Sequence, residues 1–108
     1  ENVVITKEIT VQSLYPDHRA IVQAANPRKP VFFENAYPHG KTDIVRLKDL
    51  VIRQATQSAG VEIRGGEGSS DVSIQNCRII LNRFGVFQRS DAGDSFMGIL
   101  IENSEIRM

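Results

Sequence analysis

One cysteine, Cys77, stands among 108 residues, so the chain can close no internal disulfide and lacks the second thiol of a CxxC redox or zinc arrangement. The redox compartment therefore stays open. A dominant charge is missing too: 13 Lys+Arg balance 13 Asp+Glu. This removes the long-range attraction to phosphate that nucleic-acid binders and anionic-membrane binders show. No apolar run approaches the roughly 20 residues of a membrane-spanning helix. Neither nucleic acid nor a membrane is an expected partner. GxGxxG, P-loop, GxSxG and HExxH patterns are absent. Gly65-Gly66-Glu67-Gly68 follows a strand pattern, but no helix pattern follows it to present an N-terminus to phosphate. No cofactor is implied. The start, Glu1-Asn2-Val3-Val4-Ile5, has neither a basic n-region nor an initiator Met, and Met108 falls inside a strand pattern, so the chain reads as a segment of a longer one.

What the sequence does contain is a repeat. Val45-Arg46-Leu47-Lys48-Asp49-Leu50-Val51-Ile52 aligns without a gap with the eight residues from Val72 to Ile79 and with the eight from Ile99 to Ile106, two steps of 27 residues (45 to 72 to 99). Each copy alternates apolar and variable residues on either side of a polar corner with Asp or Asn, which predicts two short strands meeting at a turn. A third strand lies between copies, at Gly60-Val61-Glu62-Ile63 and at Gly85-Val86-Phe87-Gln88. In the first third, residues 9–16 match residues 31–38 at a shorter step of 22 (9 to 31).

Three strands per turn and loops of variable length predict an all-β fold, a right-handed parallel β-helix of about four rungs, because each rung buries its apolar face only by stacking on its neighbours. Residues 1–108 then form a single segment, less regular over 1–42 and regular over 43–108. The expected inward columns are Val45/Val72/Ile99, Leu47/Ile74/Ile101, Leu50/Cys77/Ser104 and Ile52/Ile79/Ile106. Asp49, Asn76 and Asn103 would stack at the corner, where Asn and Asp tolerate left-handed backbone. Arg78 and Glu105 are expected side by side, as are Lys48, Gln75 and Glu102.

The stretches Asp71–Ile79, Gly85-Val86-Phe87 and Gly98–Ser104, with the opening Val3–Val11, resemble the repeats of right-handed parallel β-helix proteins of the pectate-lyase-like superfamily. The resemblance covers nearly the whole chain and is specific for fold. For function it is broad, since the superfamily includes lyases, hydrolases, esterases, epimerases, phage tailspikes and intracellular carbohydrate-binding-and-sugar-hydrolase domains. The amphipathic N-terminal cap and closed C-terminal rung usual in such helices are not read here. The resemblance makes carbohydrate the ligand class, a polysaccharide or oligosaccharide bound non-catalytically along the lateral face. Two alternatives stay open: a polysaccharide lyase, hydrolase or epimerase whose catalytic residues lie mainly outside the segment, and an intracellular scaffold with a protein partner.

By that resemblance a polysaccharide lies on the face following the longer loop after the Asn corner, here residues 9–11, 31–33, 60–64 and 85–89. Alternation with Val61 and Ile63 turns Glu62 and Arg64 outward, then Phe87 and Arg89 one rung later, with Phe32 and Thr10 continuing the column. An exposed Phe beside Arg and Glu is a stacking platform for a sugar ring with charged groups for its hydroxyls or a carboxylate. The competing reading is a slipped or bulged rung that turns Gln88 outward instead. Asp91 and Asp94 share a loop that can supply a carboxylate pair or two calcium ligands, with Glu62, Glu67 and Arg89 as neighbours, but two Asp are too few alone and a polar turn is the plainer reading. His18 and His39 lie in similar Tyr-Pro turns that are one 22-residue step apart; a metal or base role there competes with an ordinary turn. Cys77 reads as a small core residue. Arg46, Lys48, Arg53, Arg64, Arg78 and Arg83 read as solvated charge spread over several faces.

Overall fold

Short runs of alternating apolar residues, interrupted every few positions by polar corners, make strands too short to stand alone, so they must find partners one turn away. The computed structural model of the chain describes residues 1–15, 17–36, 42–65, 69–89 and 96–107, and among these it shows strands and no helix. The first layer holds β1 (Val3–Ile5), β2 (Thr10–Gln12) and β3 (Ala20–Gln23). The second holds β4 (Phe32–Asn35), β5 (Asp43–Lys48) and β6 (Leu50–Arg53). The third holds β7 (Ala59–Arg64), β8 (Ser69–Gln75) and β9 (Arg78–Ile80), and the fourth β10 (Phe84–Arg89), β11 (Phe96–Glu102) and β12 (Glu105–Arg107). Every third strand pairs in parallel, giving three four-stranded sheets: a first of β1, β4, β7 and β10, a second of β2, β5, β8 and β11, and a third of β3, β6, β9 and β12. From its first layer to its fourth the chain winds about three turns of a parallel β-solenoid.

The 27-residue register holds. Val45, Val72 and Ile99 align, as do Leu47, Ile74 and Ile101, and in the third sheet Ile52, Ile79 and Ile106. Of these, the residues of the second and third layers are buried, together with Leu50, Val61, Ile63 and Cys77. Outward positions pair laterally: Arg78 Nε lies 3.2 Å from Glu105 Oε2, and Gln75 Nε2 donates to Glu102 Oε1 at 3.3 Å.

Two kinds of corner return the chain to register. Asp49, Asn76 and Asn103 take left-handed backbone, with φ of 57°, 50° and 47°, and Asn76 Nδ2 donates to Asp49 Oδ1 at 2.9 Å. Arg19 braces this stack, donating to Asn76 Oδ1 at 2.7 Å and to its carbonyl at 2.9 Å. The second corner, leaving the third sheet, is not apparent from the sequence pattern. It places Gln54 and Leu81, again 27 residues apart (54 to 81), at φ 77° and 58°. Next to it the buried Asn82 accepts from the Ala55 N–H at 2.9 Å and donates to the Ile52 carbonyl at 3.1 Å.

The first third departs from expectation. The segments matched at a 22-residue step do not stack: β2 pairs with β5, Thr10 against Arg46, whereas β4 sits between β1 and β7, Val3 and Val61 flanking Phe32. The shared Tyr-Pro turns and brief apolar runs align well as text, but three- and four-residue strands carry too few side chains to set a register. Loop length decides instead, and the first-sheet step is 29 residues here (3 to 32 to 61). The shift turns Phe32 inward, 2 % exposed, and Phe33 outward.

The same register carries a carboxyl into the core. Glu34 aligns with Ile5 and Ile63 and is 1 % exposed. The Thr42 hydroxyl donates to its Oε1, while Oε2 and the buried Ser70 hydroxyl have no partner among the described residues. Burial pushes the Glu34 carboxyl from its ordinary 4.5 up to about 7; the Thr42 hydrogen bond works against this and nearby Asp71 adds to it. The folded chain therefore holds this proton more tightly than the unfolded chain. The stability it confers is complete below about pH 4.5 and is lost as the pH rises through about 7. Chemical denaturation across that range is expected to lose up to about 3 kcal/mol from this site. Glu34→Gln, which cannot ionise, should flatten the decline; an unchanged pH slope in the variant would place the titration elsewhere.

Candidate functional site

The outer face of the first sheet is built by β1, β4, β7 and β10. Their inward residues Phe32, Val61 and Val86 align, which forces the residue after each to face solvent. One outward column runs Val4, Phe33, Glu62, Phe87, and a second beside it runs Asn35, Arg64, Arg89. Phe87, 38 % exposed, lies over Glu62, and Gln88 over the buried Ile63, so the slipped rung is not observed. With a strand spacing of about 4.8 Å, the Phe33 and Phe87 positions lie about 10 Å apart across Glu62. A close approach seats this sheet on the third: a Cβ at Gly60 would lie 2.6 Å from Ile79 Cγ2 and 2.8 Å from Asn82 Nδ2, so only glycine fits there without displacement.

Two hollows flank Glu62. One, about 300 Å³, is lined by Val4, Lys29, Pro30 and Phe33, and the other, about 290 Å³, by Gln57, Phe84, Phe87 and Arg89; Glu62 borders both. Phe84 and Phe87 rings meet at 5.6 Å, tilted by 43°, and the Arg83 guanidinium sits 5.3 Å from the Phe84 centroid. This arrangement offers apolar ring faces on both sides of a carboxylate, with guanidinium and amide groups alongside. A larger hollow of about 470 Å³ lies on the second sheet, bordered by Arg46, Asp71, Ser73, Gln75 and Leu100. It has hydrogen-bonding groups but no aromatic ring.

Glu62, Arg64, Phe87 and Arg89 are thus brought together on one face as expected, and Thr10 and Phe32 are not, the former lying on the second sheet and the latter in the core. Asp91, Asp94, Glu67 and His39 lie outside the described residues. His18 occupies an exposed turn, its backbone N–H donating to the Tyr15 carbonyl at 3.1 Å, and the strands matched at a 22-residue step before the two Tyr-Pro turns belong to different sheets. Among the described residues no group of three or more His, Cys, Asp or Glu gathers. Cys77 is buried, and burial pushes its thiol up, away from the reactive thiolate. Sequence reasoning missed Phe33, Phe84 and Asn35. Aligning Phe32 with Val61 at a 29-residue step would have found Phe33 and Asn35; Phe84, at the strand start, has no periodic signal.

The chain matches no protein-family model, no curated protein and no solved structure.

The inward and outward assignment of adjacent phenylalanines is directly measurable. Phe32→Ala is expected to destabilise the fold by about 3 to 5 kcal/mol in urea denaturation, and Phe33→Ala by less than about 1.5 kcal/mol. Equal losses would contradict the register of β4.

Proposed function

We propose that the first-sheet face binds a carbohydrate chain laid along the solenoid axis, without catalysing a reaction on it. The observation that carries this reading is the in-register column Phe33, Glu62, Phe87, with a hollow on each side of the carboxylate. Sugar rings present apolar faces that stack on phenylalanine and hydroxyls that accept from arginine and asparagine or donate to a carboxylate. Successive rings spaced along a chain match a site whose chemistry repeats from strand to strand. The arrangement is also open and lateral, which suits an extended polymer better than a small enclosed ligand. The resemblance of the repeats to pectate-lyase-like β-helices supports the same ligand class.

Neutral and acidic oligosaccharides on a glycan array, followed by titration calorimetry with the best binder, test the reading. Phe87→Ala is expected to weaken binding about tenfold while leaving the melting temperature nearly unchanged, since the side chain is partly exposed in the free protein. Unaltered affinity in a folded Phe87→Ala variant would remove this face as the sugar site.

A further inference from the structure

The third sheet presents a separate surface. Its outward columns are Ile21, Val51, Arg78, Glu105 and Gln23, Arg53, Ile80, Arg107. Three guanidinium groups thus face one carboxylate. Glu105 is shared between Arg78 and Arg107, and among the described residues Arg53 meets the neutral Gln23, donating to its Oε1 at 3.3 Å from both Nε and Nη2. Composition hides the grouping of Arg53, Arg78 and Arg107 on one face; it follows from the 27-residue step, since each lies next to a member of the inward Ile52, Ile79, Ile106 column.

The apolar residues of the same face are as informative. Ile21 is 57 % exposed and Leu81 53 % exposed. Leu81 holds left-handed backbone at φ 58°, a conformation that costs a leucine more than an asparagine or glycine, and its side chain recovers little burial in return. Local folding thus disfavours leucine at this corner. A hollow of about 230 Å³ opens beside it, bordered by Leu81 and Ile80 and flanked by the Arg78 and Arg107 side chains. Arginine is among the residues enriched where proteins bind one another, and here two guanidinium groups flank an apolar floor that an aliphatic side chain can cover.

We propose that the third-sheet face, centred on Leu81 and the Arg78/Arg107 pair, docks an acidic polypeptide segment of a partner protein, one that alternates carboxylate and aliphatic side chains. Charge complementarity selects the acidic partner, and the Leu81/Ile80 hollow favours a peptide over a polyanion without apolar groups. This site is on a different sheet from the carbohydrate-binding face, so either can fail alone.

The test is fluorescence anisotropy of the protein with a labelled decapeptide alternating glutamate and leucine, beside deca-glutamate, a heparin oligosaccharide and single-stranded DNA. Saturable micromolar binding of the alternating peptide is expected, at least tenfold tighter than deca-glutamate. Leu81→Asn should weaken it about tenfold and at the same time raise the melting temperature, because asparagine suits the left-handed corner. Arg78→Gln should weaken binding, and Glu105→Gln, which removes the repelling carboxylate, should strengthen it. Absence of saturable binding, equal affinity for deca-glutamate, heparin or DNA, or an unaltered affinity in Leu81→Asn would each overturn the proposal.

Discussion

Parallel stacking in register is the constraint on which everything else in this chain depends. No turn of the solenoid encloses a core by itself; each inward side chain is covered by the residues one turn above and below it. Val45 is therefore buried by Val72, and Ile52 by Ile79, so an apolar residue has value only if its column is apolar too. The corners serve the same end. A chain that must return to the same lateral position each turn needs a sharp bend at a fixed place, and the left-handed residues at Asp49, Asn76 and Asn103 supply it at the cost of a sterically poor backbone. The Asn76 to Asp49 side-chain hydrogen bond and the Arg19 brace offset part of that cost.

Stacking acts on the surface in the same way as on the core. An outward side chain is flanked by the outward side chains of adjacent turns, so surface chemistry comes in columns: phenylalanine, glutamate, phenylalanine on the first sheet, and arginines with aliphatic neighbours on the third. Neutral overall charge hides this segregation. The same rule makes an inward polar residue conspicuous. Glu34, held between Ile5 and Ile63, cannot snorkel to water from the middle of a stack, and its carboxyl accordingly keeps a proton that a surface glutamate would lose.

The glycine and corner positions link core to surface. Gly60 allows β7 to approach Ile79 and Asn82, and the register that buries Val61 and Ile63 on either side of Glu62 turns that carboxylate outward. A site of side chains on short strands would otherwise be too loose to hold a ligand. Here both of its columns are tied through the register to buried neighbours, Phe32, Val61 and Ile63, which cannot move without opening the core.

From residue 43 onward, alternation and the ungapped 27-residue step were enough to read strands, inward columns, the Asn corner and the outward placement of Glu62, Arg64, Phe87 and Arg89, because a residue's side of a strand follows from parity alone. The Arg78 to Glu105 pairing followed from the same step. Parity does not say which strands are neighbours when strands have three or four residues and the loops between them differ in length. That choice depends on how much apolar surface each possible pairing buries in three dimensions. Only the tertiary structure therefore decided that β2 joins the second sheet, that Phe33 rather than Phe32 faces outward, and that Glu34 is buried.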